Sequence, residues 1–413
     1  MNNQQLYWRS NALLIYQTFL DDEPSRRWRE LLVADKDNML VAYGLWFRCL
    51  ADRQLGWQDY LIQQLLITDN PFTNQAQQTN WADFSAELQR AVQHDLAILR
   101  EIYSCSCSQI AQWVTATTGL ETVAWADHLP SKNLSNLANI LDQSTDWLAV
   151  LPALIQHYRQ FGTGRFAQFS AFRSHQGVLQ GIADPDPIKL QQLVGYGWQQ
   201  VALMQNTKAL VAGYPALNVL LYGSRGSGKS SLVKALVHEF ENLRLIEVPK
   251  NELMNLPQIL EQLRQSPQKF IIFVDDLSFE ADEDSFKALK AVLQGGLVAR
   301  PENIVVYATS NRRHLIREFF ADRLRPQDSD EIHNWDTVQE QLSFSDRFGL
   351  TLTFEPANQE TYLKIVHHLA ADLDIAAENL TFRALQWATK QNGRSGRTAR
   401  QFVDFLRSEL ATI

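Results

Sequence analysis

The first 160 residues of the chain carry a helical pattern of apolar and polar positions. Apolar side chains recur at three- and four-residue spacing with few β-branched runs, as in residues 28–33, 39–43 and 88–97. This spacing places the apolar side chains on one face of a helix, so a helical bundle is predicted between about residues 23 and 159. Seven tryptophans in this half are interpreted as core aromatics, with a row of ligand contacts or a partner-binding face as the alternatives: Trp28, Trp46, Trp57, Trp81, Trp113, Trp125 and Trp147.

The pattern changes in the second half of the chain. Short apolar runs at residues 243–248, 270–274 and 303–308 alternate with segments of helical spacing. Such runs are typical of buried parallel strands, and their alternation with helices predicts a parallel sheet covered by helices. The last segment, residues 358–409, returns to helical spacing and predicts a small helical cap.

A phosphate-loop motif, G-x-x-x-x-G-K-[ST], occupies residues 223–230. A strand-like run at 218–222 precedes it and a segment of helical spacing at 231–240 follows it, which is the context that the motif requires. The glycines allow the backbone to curl, so that successive N–H groups point at one anion. The predicted nucleotide contacts of this loop are Gly223, Ser224, Arg225, Gly226, Ser227, Gly228, Lys229, Ser230 and Ser231.

Candidate groups for metal binding and catalysis come from this loop and from the run at 270–274. Lys229 is predicted to reach the β- and γ-phosphates, and the Ser230 hydroxyl to complete a Mg²⁺ shell. The run at 270–274 ends in Asp275 and Asp276, at the sheet edge where ligands bind in open α/β folds. Asp275 is predicted to hold Mg²⁺, directly or through water. Asp276 is the candidate for orienting the attacking water, with Glu280 as the alternative.

Composition narrows the classes of function. The formal net charge of -8 argues against general nucleic-acid binding, which favours a basic surface. No apolar stretch approaches the roughly 20 residues of a membrane helix, and the N-terminus lacks the basic and apolar regions of a secretory signal. A cytoplasmic, reducing location is therefore expected. Cys49, Cys105 and Cys107 are interpreted as structural or inert thiols, with a metal or redox role as the alternative.

Four further segments resemble motifs of the AAA+ ATPases and follow one another in the AAA+ order. Residues 190–196 are similar to the stretch that contacts adenine, and residues 307–311 (YATSN) to sensor 1. Residues 345–349 (SDRFG) are similar to the arginine-finger segment, and residues 395–400 (SGRTAR) to sensor 2. Together with the phosphate loop and the acidic strand, the resemblance covers the chain from about residue 184 to its end.

Two strings point to a narrower family. FVDDLSFE at 273–280 and YATSNRRHL at 307–315 are similar to a bacterial and plastid family of AAA+ ATPases classed as a domain of unknown function. Paired aspartates are the usual form in that family, so the resemblance implies that Asp276 is not a defect. The chain carries Gln294 where the family pattern has glutamate, which excludes an acid role at that position.

The resemblance implies catalytic roles for Asp276, Asn311, Arg347 and Arg397. Asn311 offers a neutral donor and acceptor that can orient water or the γ-phosphate, and its alternative role is that of a turn-forming residue. Arg347 is permanently charged and would stabilise the phosphoryl group in a neighbouring subunit. Its alternative is a surface ion pair with Asp346 or Glu355.

The resemblance also implies contacts with the γ-phosphate and with the adenine ring of the nucleotide. Arg397 is favoured as the γ-phosphate sensor, with Arg400 as its rival three residues further on. The adenine contacts are expected at Val194 and Gly195. The arginines between 312 and 325 are interpreted as a solvated or intersubunit surface rather than a nucleic-acid site, because acidic residues interleave them.

The expected fold is α/β: an AAA+ P-loop NTPase sheet with a C-terminal helical lid, preceded by an all-α N-terminal domain. The predicted limits are residues 1–160 for the helical domain, 161–185 for a linker in which glycines break the helical pattern, 186–355 for the nucleotide-binding domain and 356–413 for the lid.

Two classes of function remain open. One is an ATPase that hydrolyses ATP with Mg²⁺ at the subunit interfaces of a homo-oligomer and remodels an unidentified protein partner through the helical domain. The other is a nucleotide-gated binding switch with little turnover, and a nucleic-acid-associated ATPase is a weaker alternative. Residues 248–257 lack the aromatic residue and glycine of a protein-threading loop. A small-molecule kinase ranks last, since it would not need Arg347.

Overall fold

The structure is a computed structural model that describes residues 3–129, 136–264, 266–277, 284–294, 301–311, 347–391 and 393–411. The chain divides into two compact units, Met1–Gln168 and Phe169–Ile413. Four features of the sequence analysis lie outside the described residues, namely Glu280, the arginines between 312 and 325, Asp346 and the side chain of Gln294.

Every α-helix or 3₁₀ turn described between residues 3 and 168 belongs to the first unit, and no strand is described there. Its buried core contains Trp28, Trp46, Trp57 and Trp147, and the other three of the seven tryptophans, Trp81, Trp113 and Trp125, pack against that core. The interpretation of these tryptophans as core aromatics is confirmed. The α-helices of this unit are α1 (Asn3–Asn11), α2 (Glu23–Val33), α3 (Met39–Arg53), α4 (Trp57–Ile67), α5 (Pro71–Ala76), α6 (Ala86–Tyr103), α7 (Cys107–Thr118), α8 (Asn136–Gln143), α9 (Leu151–Phe161) and α10 (Gly164–Gln168).

Helix α7 illustrates how the sequence sets the limits of these elements. The Ser106 side chain accepts a hydrogen bond from the Gln109 N–H, and the Gln109 side chain accepts one from the Ser106 N–H. This capping box satisfies backbone groups that have no partner within the helix. At the other end, Gly119 takes a left-handed conformation with φ 77°, which ends the helix.

The second unit contains a seven-stranded, mostly parallel sheet with the strand order β2-β1-β4-β5-β6-β3-β7. Among the strand pairs that the structure describes, only the β1–β2 pair is antiparallel. The central strands β5 and β6 are almost wholly buried, as their continuous apolar runs predict. The strands are β1 (Ala171–His175), β2 (Val178–Ile182), β3 (Val219–Gly223), β4 (Leu243–Glu247), β5 (Lys269–Val274), β6 (Ile304–Ser310) and β7 (Leu350–Phe354).

Helices flank this sheet along the chain and then form the lid. The α-helices of the second unit are α11 (Gly197–Val211), α12 (Lys229–Ala235), α13 (Leu256–Arg264), α14 (Asp284–Gln294), α15 (Gln359–Leu369), α16 (Ala377–Lys390) and α17 (Gly396–Ala411). Helices α15, α16 and α17 share a separate apolar core around Tyr362, Ala384 and Phe402. The expected fold, a P-loop α/β sheet with a C-terminal helical lid and a helical N-terminal region, is confirmed.

Residues 161–185, for which the sequence predicts a linker, contain the β1–β2 hairpin. Its turn places Gln176 at φ 50° and Gly177 at φ 72°, the two positive angles that a tight hairpin turn requires. The Glu252 carboxylate accepts a hydrogen bond from the Gly177 N–H at 3.1 Å and holds this turn. Strand β1 pairs with β4, so the segment extends the sheet at one edge.

Candidate nucleotide-binding site

The strand order brings three polar chain segments to one edge of the sheet. Strands β5, β6 and β3 are neighbours and run parallel, so their carboxyl ends lie side by side. The acidic pair follows β5, Asn311 follows β6, and the phosphate loop follows β3. This is the position at which open α/β sheets bind their ligands.

The phosphate loop depends on glycine backbone at three positions. Gly223, Gly226 and Gly228 have φ values of 131°, 73° and 91°, in the region that side chains disfavour. A Cβ atom on Gly223 would lie 2.1 Å from the carbonyl oxygen of Phe354. The Ser224 N–H donates to that same oxygen at 2.8 Å, so β7 and the start of the loop are in close backbone contact.

Lys229 is buried, with 6% of its surface exposed, and its ammonium group contacts the loop itself. Its Nζ donates to the carbonyl oxygens of Gly223 at 2.9 Å and Ser224 at 2.7 Å, and to Asn311 Oδ1 at 3.5 Å. Burial lowers the pKa of Lys229 because it removes water from the charged group, while Asp275 and Asp276 act in the opposite direction. The site therefore holds a desolvated cation between the loop and the acidic pair.

Asp275 is the centre of a compact hydrogen-bond network. Its Oδ1 accepts from the Ser230 hydroxyl at 2.6 Å and from the Thr309 hydroxyl at 2.5 Å. Ser230 belongs to α12 and Thr309 to β6, so three elements converge on one carboxylate. A hydroxyl beside a carboxylate is a set of oxygen donors that suits a hard cation such as Mg²⁺.

Asp276 adopts an unusual backbone conformation beside this network. Its φ is 51°, one of four positive values among the non-glycine residues that the structure describes. Its N–H donates to the Thr309 hydroxyl at 2.9 Å, and its Oδ1 accepts from Asn311 Nδ2 at 2.6 Å. Left-handed backbone outside glycine is uncommon and concentrates at functional sites.

The lid meets the loop and closes one side of the site. The Arg397 N–H donates to the Gly226 carbonyl oxygen at 3.2 Å. A Cβ atom on Gly226 would approach the Ser395 Oγ to 2.9 Å. The side chains of both Arg397 and Arg400 line the resulting cleft, so the choice between them as a phosphate sensor stays open.

The other end of the cleft is bounded by residues 193–196. Gln200 Nε2 donates to the carbonyl oxygens of Leu193 at 2.9 Å and Gly195 at 2.8 Å, and so holds this segment from α11. Val194 packs against the lid core, and the Tyr196 ring lies 5.0 Å from the Phe354 ring, centroid to centroid. The cleft has a volume of about 670 Å³, which is in the range of small-molecule sites.

Most of the site residues that the sequence predicts are brought together in this cleft. Gly223 and Ser224 are not part of the lining, and their carbonyl oxygens accept hydrogen bonds from Lys229. Arg347 is not part of the lining and lies just before β7. The predicted residues that line the cleft are Val194, Gly195, Arg225, Gly226, Ser227, Gly228, Lys229, Ser230, Ser231, Asp275, Asp276, Asn311, Arg397 and Arg400.

Several cleft residues were not singled out from the sequence. Thr309 contacts both aspartates, and Gln200 fixes the backbone of residues 193–195. The apolar side chains Phe354, Ile365 and Leu369 complete the lining near that segment. The one sequence signal for Thr309 is a hydroxyl residue near the end of a buried strand, whereas Ile365 and Leu369 look like ordinary positions of an amphipathic helix.

One family model and several solved structures match the chain. The model of the family described as "Protein of unknown function (DUF815)" matches residues 165–410. No curated protein matches the chain. Among solved structures, the Thermotoga maritima RuvB Holliday junction branch migration motor is 15% identical over 53% of this chain and 72% of that chain, with a TM-score of 0.32. Two substituted forms of that RuvB give the same values. An overlap of this extent does not define a shared function.

No described helix combines the length and the apolar character needed to cross a membrane.

Proposed function

The chain belongs to the DUF815 family, and we propose that this member binds ATP with Mg²⁺ and hydrolyses it. The observation that supports this proposal most directly is the convergence in one cleft of a phosphate loop, a buried lysine, an acidic pair and the polar end of the next strand. Each of these parts has a defined task in phosphoryl transfer.

Phosphate binding is supported by the loop and by Lys229. The Lys229 ammonium group is buried and donates to the carbonyl oxygens of Gly223 and Ser224, within the loop itself. A triphosphate would place negative charge next to the ammonium group and so offset the cost of its burial. The φ values of Gly226 and Gly228 allow the loop to curl around such an anion.

Magnesium binding is supported by the chemistry of the donor set. The Ser230 hydroxyl and the Asp275 carboxylate lie 2.6 Å apart, next to the position proposed for the phosphates. Bound Mg²⁺ would neutralise the negative charge that develops on the phosphate oxygens. Ser230 and Asp275 would hold the ion, and bound water would complete its shell.

Asp276 is proposed as the residue that orients the attacking water, and Asn311 as its partner. The Asn311 side chain contacts Asp276 through Nδ2 at 2.6 Å and Lys229 through Oδ1 at 3.5 Å. It therefore connects the phosphate-binding lysine to the proposed base. Glu280, the alternative base, lies outside the described residues.

Arg347 is proposed to act on the ATP of a neighbouring subunit in a homo-oligomer. Strands β3 and β7 are parallel, with Val219 opposite Leu350 and Gly223 opposite Phe354. The phosphate loop begins at Gly223, at the carboxyl ends of these strands. Arg347 precedes Leu350 and therefore lies at their amino ends. At about 3.3 Å per residue, the four steps from Leu350 to Phe354 span about 13 Å. This separation supports an action between subunits.

The biological role is proposed to be ATP-driven remodelling of a protein partner, with residues 1–160 supplying the contact surface and the cytoplasm as the location. Val194 supports a coupling of nucleotide binding to lid movement, because it lines the cleft and packs against the lid core. Capture of partners with an Asp276→Asn variant, expected to remain in the ATP-bound state, tests this role.

The central experiment is a titration with a fluorescent ATP analogue. Lys229→Ala removes the cation at the phosphates and should abolish binding. Lys234→Ala is the matched control, since Lys234 lies on the same helix, outside the cleft lining. Parent-like affinity in Lys229→Ala would contradict the proposal, whereas parent-like affinity in Lys234→Ala is expected.

A nucleotide-gated switch with little turnover is the second candidate. It is favoured by the hydrogen bond from Asn311 to Asp276 Oδ1, which uses part of the acceptor capacity that would orient a water molecule. Tight ATP binding together with turnover at the background rate, measured across a range of protein concentrations, would select this candidate.

A further inference from the structure

We propose that Thr309 is a positioning residue that holds both aspartates of the acidic pair, so that the Mg²⁺ requirement of the site depends on its hydroxyl group. The inference rests on the proposed function and adds to it a residue of the strand beside the acidic pair.

The first contact of Thr309 fixes the orientation of the Asp275 carboxylate. Strand pairing sets Val274 opposite Ala308, which places position 309 beside position 275. The Thr309 hydroxyl donates to Asp275 Oδ1 at 2.5 Å, and the Ser230 hydroxyl donates to the same oxygen at 2.6 Å. Rotation of the carboxylate would break both bonds at once. The direction of its second oxygen is therefore set before any metal arrives.

The second contact fixes the backbone of Asp276. Its N–H donates to the same Thr309 hydroxyl at 2.9 Å, and the Leu277 N–H donates to the Thr309 carbonyl oxygen at 2.7 Å. Asp276 has a φ of 51°. Such a conformation costs about 1 kcal/mol or more outside glycine and persists only where the surroundings enforce it. Thr309 supplies part of that enforcement and directs the Asp276 side chain towards Asn311.

The chemistry of a hydroxyl group explains why one residue can hold both aspartates. A hydroxyl has one donor and two acceptor lone pairs. Thr309 uses the donor for Asp275 and a lone pair for the Asp276 N–H. Valine has the same branched shape but offers neither function, whereas serine offers both without the methyl group. These two substitutions separate the hydroxyl group from the shape of the side chain.

The test compares the parent protein with Thr309→Val and Thr309→Ser. Binding of a fluorescent ATP analogue is titrated in EDTA and over a series of Mg²⁺ concentrations, and turnover is measured over the same series. Thr309→Val should bind the analogue as the parent does in EDTA but need about 10- to 100-fold more Mg²⁺ for the half-maximal effect, the range typical of a lost partner of a metal ligand. Thr309→Ser should restore the parent requirement.

The test includes a control variant and a replacement for a variant that does not fold. Thr353→Val removes a hydroxyl that donates to the Tyr222 hydroxyl at 2.8 Å, on the neighbouring strands, and should leave the Mg²⁺ requirement unchanged. Where Thr309→Val does not fold, as judged by circular dichroism, Thr309→Ala takes its place with the same expected result.

The proposal is overturned if the variant without the hydroxyl has the parent Mg²⁺ requirement, or if Thr309→Ser fails as the valine variant does. A parent protein that binds no nucleotide overturns the proposed function, and the role of Thr309 falls with it. A parent that binds ATP with Mg²⁺ while all Thr309 variants match it overturns the role of Thr309 alone.

Discussion

Replacing Arg347 with alanine is expected to leave ATP binding unchanged and to slow turnover by about 10³-fold or more, the effect of a lost arginine finger. The expected loss of rate depends on whether Arg347 contacts the ATP of its own subunit or that of a neighbouring subunit. Arg347 precedes β7, while the phosphate loop follows β3 at the other edge of the sheet.

The distance between Arg347 and the phosphate loop of the same subunit limits how much Arg347 can change the rate of hydrolysis there. If the strand length of about 13 Å is taken as the distance from the charge to the phosphates, a unit charge contributes about 0.3 kcal/mol in water and about 1.3 kcal/mol at an effective dielectric constant of 20. A tenfold change in rate needs about 1.4 kcal/mol. An arginine that acts only within its own subunit would therefore change the rate by less than about tenfold. A loss of about 10³-fold requires direct contact, which a neighbouring subunit can provide.

The assay measures phosphate release at several protein concentrations, with Arg173→Ala as a control for the loss of a surface arginine. Arg173 lies on β1 and pairs with Glu247, outside the cleft lining. Mixing Arg347→Ala with Lys229→Ala should restore part of the activity, because one composite site combines an intact loop with an intact finger. A loss below tenfold, an absence of rescue, or turnover per chain that stays constant on dilution to a demonstrated monomer would refute the reasoning.

Three further predictions concern single substitutions. Asp276→Asn should bind ATP as the parent does and turn over at least about tenfold more slowly, since it loses a group that positions water; parent-like phosphate release would instead direct attention to Glu280. Gly223→Ala should lower the free energy of unfolding far more than Gly228→Ala, because a Cβ would lie 2.1 Å from the Phe354 carbonyl oxygen at the first site and would contact nothing within 4 Å at the second. Both variants carry the cost of about 1–2 kcal/mol for left-handed backbone. The difference between their free energies of unfolding, measured with denaturant, therefore reports the steric clash alone. Burial raises the pKa of the Cys105 thiol from 9.0 to about 11. The raised pKa contributes stability below pH 9 that is lost as pH rises from about 9 to 11, and Cys105→Ala should show a smaller loss over that range in thermal unfolding; equal slopes would contradict it.

The sequence predicts the fold of the second unit because its signals are local. The continuous apolar run of β5 and the strand, loop and helix around Lys229 each occupy one short segment, and the structure confirms the α/β class that they indicate. The hairpin at 171–182 was less visible. Its two strands are short, and a glycine at position 177 can mark either a hairpin turn or a linker.

The candidate site is predictable only as far as its residues belong to motifs. Lys229 and Asp275 stand in such motifs, and the roles assigned to them stay predictions. The contact between Thr309 and Asp275 depends on the register of two strands whose residues are more than 30 positions apart. The φ of 51° at Asp276 depends on the same contact. Sequence periodicity identifies strands but does not fix their register without knowledge of the partner.

The bond between Gly226 and Arg397 has a consequence for the synthesis of the protein. The phosphate loop is completed by a backbone contact with a residue that lies 171 positions later in the chain. Domains generally fold as units during translation, with the N-terminal part first. A nascent chain therefore cannot assemble the full nucleotide cleft until α17 has left the ribosome. The helical unit of residues 1–168 is therefore fully translated before the cleft is complete.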